Sequence, residues 1–107
     1  MPELPEKEGV FTPGVGISTY TASVRQYGKA VFLYVAMIEN VAPGIRTIGT
    51  ISGLDVEFTE QMIIPAIALT ENGAYPTAAG IETNGDITVA VDQNLIGLSI
   101  SGTVIVK

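Results

Sequence analysis

The sequence contains no cysteine, no histidine and no tryptophan. The absence of cysteine excludes disulfides, thiolate metal sites and cysteine nucleophiles. The absence of histidine excludes the Ser-His-Asp type of hydrolase and removes the most frequent general base of enzymes. Carboxylate pairs are the main remaining route to catalysis, so the composition favours a protein that is not an enzyme.

Positive charge is also scarce. Five Lys and Arg stand against eleven Asp and Glu, which gives a net charge of -6. Such a chain repels a phosphate backbone, because affinity for nucleic acid depends on clustered cations. The N-terminus is acidic and lacks the basic and apolar regions of a signal peptide, and the longest apolar runs are about half of the ~18 residues that a membrane-spanning helix needs. We therefore expect no nucleic-acid partner and no membrane insertion.

The residues that are present predict an all-β protein. The chain has 107 residues, of which 47% are hydrophobic and 15% are charged, a composition typical of one folded domain. Short runs of β-branched and aromatic residues alternate with turn residues, and no stretch keeps a helical period. We predict an antiparallel β-sandwich, jelly-roll-like, with about eight strands. It occupies residues 17–107, and the Pro-rich and Gly-rich residues 1–16 form an extended N-terminal lead-in or connector.

Turn residues delimit the individual strands. Asn84-Gly85 predicts a type I′ hairpin turn, because Asn and Gly tolerate positive φ, and Gly102 predicts a bulge or a corner between sheets. Two segments are predicted at the end of the chain, on either side of Gly102, and the alternative is that they form one bent strand. The predicted strands are Thr19–Tyr27, Ala30–Glu39, Ile45–Ile51, Asp55–Thr59, Met62–Thr70, Thr77–Thr83, Ile87–Asp92, Gly97–Ser101 and Thr103–Lys107.

One strand lacks the expected alternation of apolar and polar residues. The run Ala30–Ile38 is apolar throughout, whereas a strand with one solvated face alternates. If one set of its side chains faces the core, the other set, which is Phe32, Tyr34, Ala36 and Ile38, faces outward and requires a cover. A second subunit is the simplest cover, and a segment of the same chain is the alternative.

Two sets of residues are candidates for catalytic or metal-binding groups. Asp55 and Glu57 share a strand face at i, i+2 spacing, as a glycosidase pair does, but they read equally as the solvated side of an amphipathic strand. Asn84, Asp86 and the Asp92–Asn94 segment carry oxygen ligands without the dense acidic loop of a calcium site, and turn chemistry accounts for Asn84 and Asp86. We therefore expect no catalytic residues, no metal and no cofactor.

Two loops carry residues suited to binding carbohydrate. A sugar site needs an aromatic face and a few polar groups on rigid loops. Tyr75 lies in a predicted turn near Asn72, and Asp92, Gln93 and Asn94 form a second polar loop. We take these five residues as the candidate ligand site, with the alternative that Tyr75 packs on its own turn.

The order of segments resembles a known family. It runs "TASVRQYGKAVFLYVAMIENVAPG", "IRTIGTISGL", "MIIPAIALTENG", "AAGIETNGDITV" and a closing "LSISGTVIV". This order resembles the C-terminal head domain of phage tail fibre and receptor-binding proteins, over about residues 17–107. Gly28 fills the family's first turn, and "IETNGDITV" fits its later signature. The chain departs from the family in lacking Trp, in reading "ISGLDVEFTEQ" where a "P-x-G-Y-R-P" element is frequent, and in lacking the shoulder or coiled-coil stem that usually precedes the head.

The resemblance implies a homotrimer of β-sandwich heads that binds bacterial surface saccharides between or beside its subunits. It also implies a protein of the virion, at the tail tip or baseplate, made in the host cytoplasm, with other tail or baseplate proteins contacted through the N-terminal segment. Two further classes remain open. One is a purely structural trimeric tail protein without a ligand, and the other is a small glycan hydrolase using Asp55 and Glu57 or Asp86 and Asp92. A trimeric sandwich of the tumour-necrosis-factor type shares the architecture but not the motifs.

Overall fold

The computed structural model describes residues 6–39 and 41–106, which form nine β-strands and no helix. Every strand pair is antiparallel, so the predicted all-β antiparallel class is confirmed. Within these ranges no helix is long and apolar enough to cross a membrane. The strands are β1 (Glu6–Glu8), β2 (Val10–Pro13), β3 (Thr21–Tyr27), β4 (Ala30–Ile38), β5 (Gly44–Ser52), β6 (Met62–Thr70), β7 (Gly73–Ile81), β8 (Asp86–Val91) and β9 (Gly97–Ile105).

The nine strands belong to one sheet in the order β1-β3-β4-β9-β6-β7-β8-β5-β2. Hydrogen bonding therefore joins them into one nearly closed, barrel-like sheet in place of the two separate sheets of a sandwich. The two strands at the ends of this order, β1 and β2, are consecutive in the chain. β1 pairs with β3, and β2 pairs with β5. Between them the segment crosses from one strand to the other at Gly9, whose N–H donates to the Val24 carbonyl at 2.8 Å. Residues 6–13, here called the N-terminal strap, thus bridge the two ends of the sheet.

The strap was expected as an extended lead-in ahead of the domain, and it is instead hydrogen-bonded into the sheet. The Phe11 ring lies against Gly49 of β5, where no side chain would fit. Two exposed ion pairs also hold β1, Glu6 with Arg25 at 3.4 Å and Lys7 with Asp55 at 3.6 Å. Exposed pairs of this kind contribute about 0–1 kcal/mol each. Main-chain pairing and the Phe11 contact are therefore the main attachments of the strap.

The predicted strands agree with the structure over most of the chain. β6 has the predicted bounds, and the last two predicted segments are one strand, β9. The strand predicted at Asp55–Thr59 is wrong, because residues 53–61 form an irregular loop. Its apolar and polar residues alternate, but it pairs with neither of the strands that it connects, since β5 has β8 and β2 as neighbours and β6 has β9 and β7. Phe58 is buried and packs on the core from this loop.

The hairpin turn between β7 and β8 is longer than a type I′ turn. Gly85 donates its N–H to the Glu82 carbonyl at 2.9 Å, and the Glu82 N–H bonds to the Asp86 carbonyl at 2.8 Å. Gly85 has a φ of 90°, whereas Asn84 is not among the positive-φ residues, so the type I′ prediction is wrong. Asn84 acts instead through its side chain, whose Oδ1 accepts the Asp86 N–H at 3.0 Å. One residue in the left-handed region is enough for this turn.

The irregularity predicted at Gly102 lies instead in the neighbouring strand β4. Gly102 is inside the continuous strand β9, where a Cβ would come within 2.9 Å of Ile64 Cγ1. Ala36 and Met37 together face a single residue of β9, because Val35 pairs with Ile100 and Ile38 pairs with Leu98. This arrangement is a β-bulge, with Met37 at a φ of 54°.

The bulge changes which side chains of β4 face outward. Phe32 and Tyr34 are 44% and 47% exposed, as predicted for the outer face. Ala36 and Ile38 are 8% and 0% exposed, so their predicted outward orientation is wrong. The extra residue shifts the alternation by one, which turns Met37 outward and Ile38 into the core.

The core lies inside the curled sheet and receives side chains from every strand between β3 and β9. The largest fully buried side chains are Leu33, Ile38, Ile48, Ile64, Ile81, Ile87, Leu98, Ile100, Val31 and Val35. Gln26 is the one buried polar side chain among the described residues. Its Nε2 donates to the Gly28 carbonyl at 2.7 Å and its Oε1 accepts the Asp55 N–H at 2.7 Å. Gln26 thereby ties the 53–61 loop to the turn between β3 and β4.

Replacing Gln26 with Met, which has a similar shape, will lower the free energy of unfolding by about 1–3 kcal/mol, because the Gly28 carbonyl and the Asp55 N–H lose their partner. Urea unfolding followed by circular dichroism measures this change. Gln61→Met is the matched control, since the bond from Gln61 to Glu82 is exposed, and we expect a change below about 0.5 kcal/mol. Equal costs for the two variants would contradict the role assigned to Gln26.

Candidate functional site

Two polar loops meet at one end of the sheet. The turn between β6 and β7 contains Glu71 and Asn72, and the loop between β8 and β9 covers residues 92–96. The Ile96 N–H donates to the Leu69 carbonyl at 2.7 Å, which holds the second loop against β6. Loops at the ends of a rigid sheet can differ in sequence without disturbing the core, which makes them a frequent place for binding sites.

These loops enclose a cleft of about 310 Å³, here called the loop cleft. It brings together Asn72, Gln93 and Asn94, three of the five predicted ligand residues. The turn that carries Asn72 is held by Thr70, whose hydroxyl accepts the Asn72 N–H at 3.2 Å and donates to the Gly73 carbonyl at 3.0 Å. The lining residues are Thr70, Glu71, Asn72, Gln93, Asn94, Leu95 and Ile96.

The other two predicted residues, Tyr75 and Asp92, line a second cleft of about 400 Å³. Tyr75 is not in a turn as predicted, because it lies on β7 opposite Ala68. Its ring is half-buried and packs against the core, so its orientation is set by the sheet. Asp92 directly precedes Gln93, so the two clefts adjoin at the start of the loop between β8 and β9.

The side chains around both clefts suit a neutral, hydroxyl-bearing ligand. The amides of Asn72, Gln93 and Asn94 each provide donors and an acceptor, and Glu71 and Asp92 provide carboxylate acceptors. Neither cleft is lined by Lys or Arg. A phosphate or carboxylate ligand in the loop cleft would therefore meet the Glu71 carboxylate with no cation among the lining residues, whereas the Arg46 guanidinium lies beside Gly44 at the second cleft.

The carboxylates considered for hydrolysis lie in three places, namely the two ends of β8 and the 53–61 loop. Asp86 and Asp92 lie at opposite ends of β8, about 20 Å apart at the usual strand rise, which is too far for the ~5–9.5 Å of a glycosidase pair. Asp86 also accepts a hydrogen bond from Thr50 Oγ1 at 2.7 Å. Asp55 pairs with Lys7, and Glu57 lies on the 53–61 loop. The described residues contain no cluster of three or more Asp and Glu that would hold a metal ion.

Sequence reasoning missed a third cleft, of about 510 Å³, at the opposite end of the sheet. It lies between the 53–61 loop and the hairpin turn after β7. The alternation of residues 55–59 predicts a strand there, and the structure has a loop. Its lining residues are Ile51, Ser52, Gly53, Leu54, Val56, Glu57, Phe58, Thr59, Thr83, Asn84 and Gly85.

No family model, curated protein or solved structure matches the chain. The functional assignment therefore depends on the geometry of this chain and on the resemblance in segment order. Of the clefts described, the loop cleft contains the largest share of the residues that the sequence singled out.

Proposed function

We propose that the protein is a non-enzymatic receptor-binding head of the phage tail fibre type, which attaches as a homotrimer to bacterial cell-surface saccharides. The observation that carries this proposal is the loop cleft, where Asn72, Gln93 and Asn94 come together from two different loops. The resemblance of residues 17–107 to that class of head domain supports it.

The chemistry of the loop cleft supports a saccharide ligand. A sugar presents hydroxyl groups that both donate and accept hydrogen bonds, and side-chain amides match both roles. Tyr75 adds an aromatic surface in the adjoining cleft, where an apolar face of a sugar ring can pack. Shallow sites of this kind bind weakly one at a time, and a homotrimer that presents three of them gains avidity.

The proposed setting is the virion, at the tail tip or baseplate, after synthesis in the host cytoplasm. We propose contacts with other tail or baseplate proteins through residues 1–16. Residues 6–13 of this segment are the strap, and the first five residues lie outside the described part of the chain. The side chains of β1 are exposed and are among the described groups that such contacts can use.

Binding to an array of bacterial surface saccharides, followed by calorimetric titration of each hit, tests this function. We expect Asn72→Ala and Asn94→Ala to weaken binding by about tenfold each, because each removes about one to two hydrogen bonds worth ~1 kcal/mol. Gln61→Ala, which removes an exposed amide outside both clefts, is the control and should leave affinity unchanged.

Two outcomes would contradict the proposal. A wild-type protein that binds none of the saccharides would favour a purely structural tail protein. Binding that persists in both asparagine variants but is lost in Tyr75→Ala would move the site to the second cleft.

A further inference from the structure

Four strands that are neighbours in the sheet carry no charged residue. They are β4, β9, β6 and β7, in that order, and each is nine residues long. None of them contains Asp, Glu, Lys or Arg, whereas β1, β3, β5 and β8 all do. We call their outer surface the charge-free face.

Large apolar side chains form two separate patches on this face. The β4 patch consists of Phe32 and Tyr34, which are 44% and 47% exposed, together with the outward Met37 at 37% and Ile105 at the end of β9 at 61%. The β6 patch is centred on Ile63 and Ile67, which are 63% and 47% exposed, with the exposed Pro65, Pro76 and Ala78 beside them.

A strip of small polar side chains on β9 separates the two patches. Thr103 lies opposite Phe32, Ser101 lies opposite Tyr34, and Ser99 lies opposite Ile67. Because the sheet is curled, patches two strands apart face different directions. The face therefore offers two distinct apolar surfaces and not one flat surface.

Single exposed apolar residues need no explanation, but adjoining apolar residues on neighbouring strands mark an interaction surface. The distribution of charge favours a second copy of this chain as the occupant. Each copy carries a net charge of -6, so two copies repel each other wherever their charged surfaces approach. The charge-free face is the surface on which two copies can meet without that repulsion.

The size of the face favours a closed ring over a single pair of copies. At the usual strand spacing and rise, four nine-residue strands present roughly 19 Å by 30 Å, or about 600 Å² before the relief of the side chains is counted. Stable interfaces bury ~800 Å² on each partner. In a ring each copy uses one half of the face in each of its two contacts, so a single contact is small and the closed ring, which makes all the contacts at once, holds the copies together.

We propose that the β4 patch of one copy packs on the β6 patch of the next, and that the copies close into a ring. When the two contacting surfaces differ, each copy retains one uncovered patch until a ring closes and covers all of them. The inference names the surfaces of the homo-oligomer in the proposed function, on which it rests, and it is independent of saccharide binding.

Charged substitutions on each patch test this arrangement by light scattering coupled to gel filtration. Tyr34→Glu and Ile67→Glu each place a carboxylate on one patch and leave the other intact. We expect each variant to fall to the monomer mass, about threefold below a wild-type trimer. Val15→Glu changes a fully exposed apolar residue outside the face and should keep the wild-type mass.

Mixing the two variants distinguishes contact between different patches from contact of one patch with itself. The Tyr34→Glu chain keeps its β6 patch and the Ile67→Glu chain keeps its β4 patch, so an equimolar mixture should form a dimer of one chain of each kind. The double variant Tyr34→Glu/Ile67→Glu lacks both patches and should stay monomeric with either partner. Circular dichroism of every variant verifies that the fold is retained.

Each contrary result has a defined meaning. If Ile67→Glu keeps the wild-type mass, or if the mixture stays monomeric, the contact does not join the two patches and the inference is wrong, while the homo-oligomer stands. A monomeric wild type overturns both the inference and the homotrimer of the proposed function. Saccharide binding is measured separately, so its failure cannot be mistaken for either result.

Discussion

Replacing Ile38 with Glu will unfold the protein, and replacing its neighbour Met37 with Glu will not. Ile38 is 0% exposed and Met37 is 37% exposed, because the bulge in β4 turns the Ile38 side chain inward and the Met37 side chain outward. The Ile38 variant loses about 1.5–3 kcal/mol of apolar burial and places a carboxylate in the core, at several kcal/mol more. The sum, at least about 5 kcal/mol, is comparable to the whole stability of a small domain.

Urea and thermal unfolding followed by circular dichroism distinguish the two variants. The comparison is matched, since the residues are adjacent and receive the same side chain. An unbroken alternation along β4 would place Met37 inward and Ile38 outward, and the variants would then exchange their behaviour. That result would mean that β4 has no bulge.

The second large effect is expected at Gly49, under the N-terminal strap. A Cβ at this position would overlap the Phe11 ring and lie 2.8 Å from the Thr12 carbonyl oxygen. Gly49→Ala must therefore displace both the ring and the main chain of β2, and we expect it to lower the free energy of unfolding by about 2–3 kcal/mol. The strap amides, including that of Gly9, should also exchange with solvent faster, because the strap detaches before the rest of the sheet unfolds.

The matched control is Gly97→Ala. The nearest atom to a Cβ at Gly97 is Met37 Cε at 3.2 Å, the end of a flexible side chain, so this variant should cost less than about 1 kcal/mol. A double-mutant cycle with Phe11→Ala isolates the ring, since Gly49→Ala should cost less once the ring is absent. The same cost in both backgrounds would show that the ring does not limit the space at Gly49.

The candidate binding site and the proposed assembly surface occupy different parts of the sheet. The loop cleft lies at one end, whereas the charge-free face is a side wall. In a closed ring, rotational symmetry places the loop clefts of all copies at the same end of the assembly. Assembly on the side wall would therefore point every cleft toward the same surface, which is the arrangement that avidity requires.

Much of the secondary structure was predictable, because the signals are local. β-branched and apolar runs bounded by glycine or by polar turn residues located most strands between β3 and β9, and the bounds of β6 were as predicted. Gly28, with a φ of 61°, lies in the predicted turn between β3 and β4. Asn72, Gln93 and Asn94 were also found as candidates, because polar residues between strands lie on loops.

The sequence by itself thus determined the all-β class, the positions of most strands and the loops that carry the candidate ligand residues, since each depends on residues close together in the chain. Tertiary structure alone decided that the strap closes the sheet, that the 53–61 loop pairs with neither of the strands that it connects, and that Ile38 enters the core. Each of these depends on a partner distant in the chain: β3 and β5 for the strap, the neighbours of β5 and β6 for the loop, and β9 for the bulge. Periodicity within one segment contains no information about such partners, which is why Ala36 and Ile38 were assigned to the outer face.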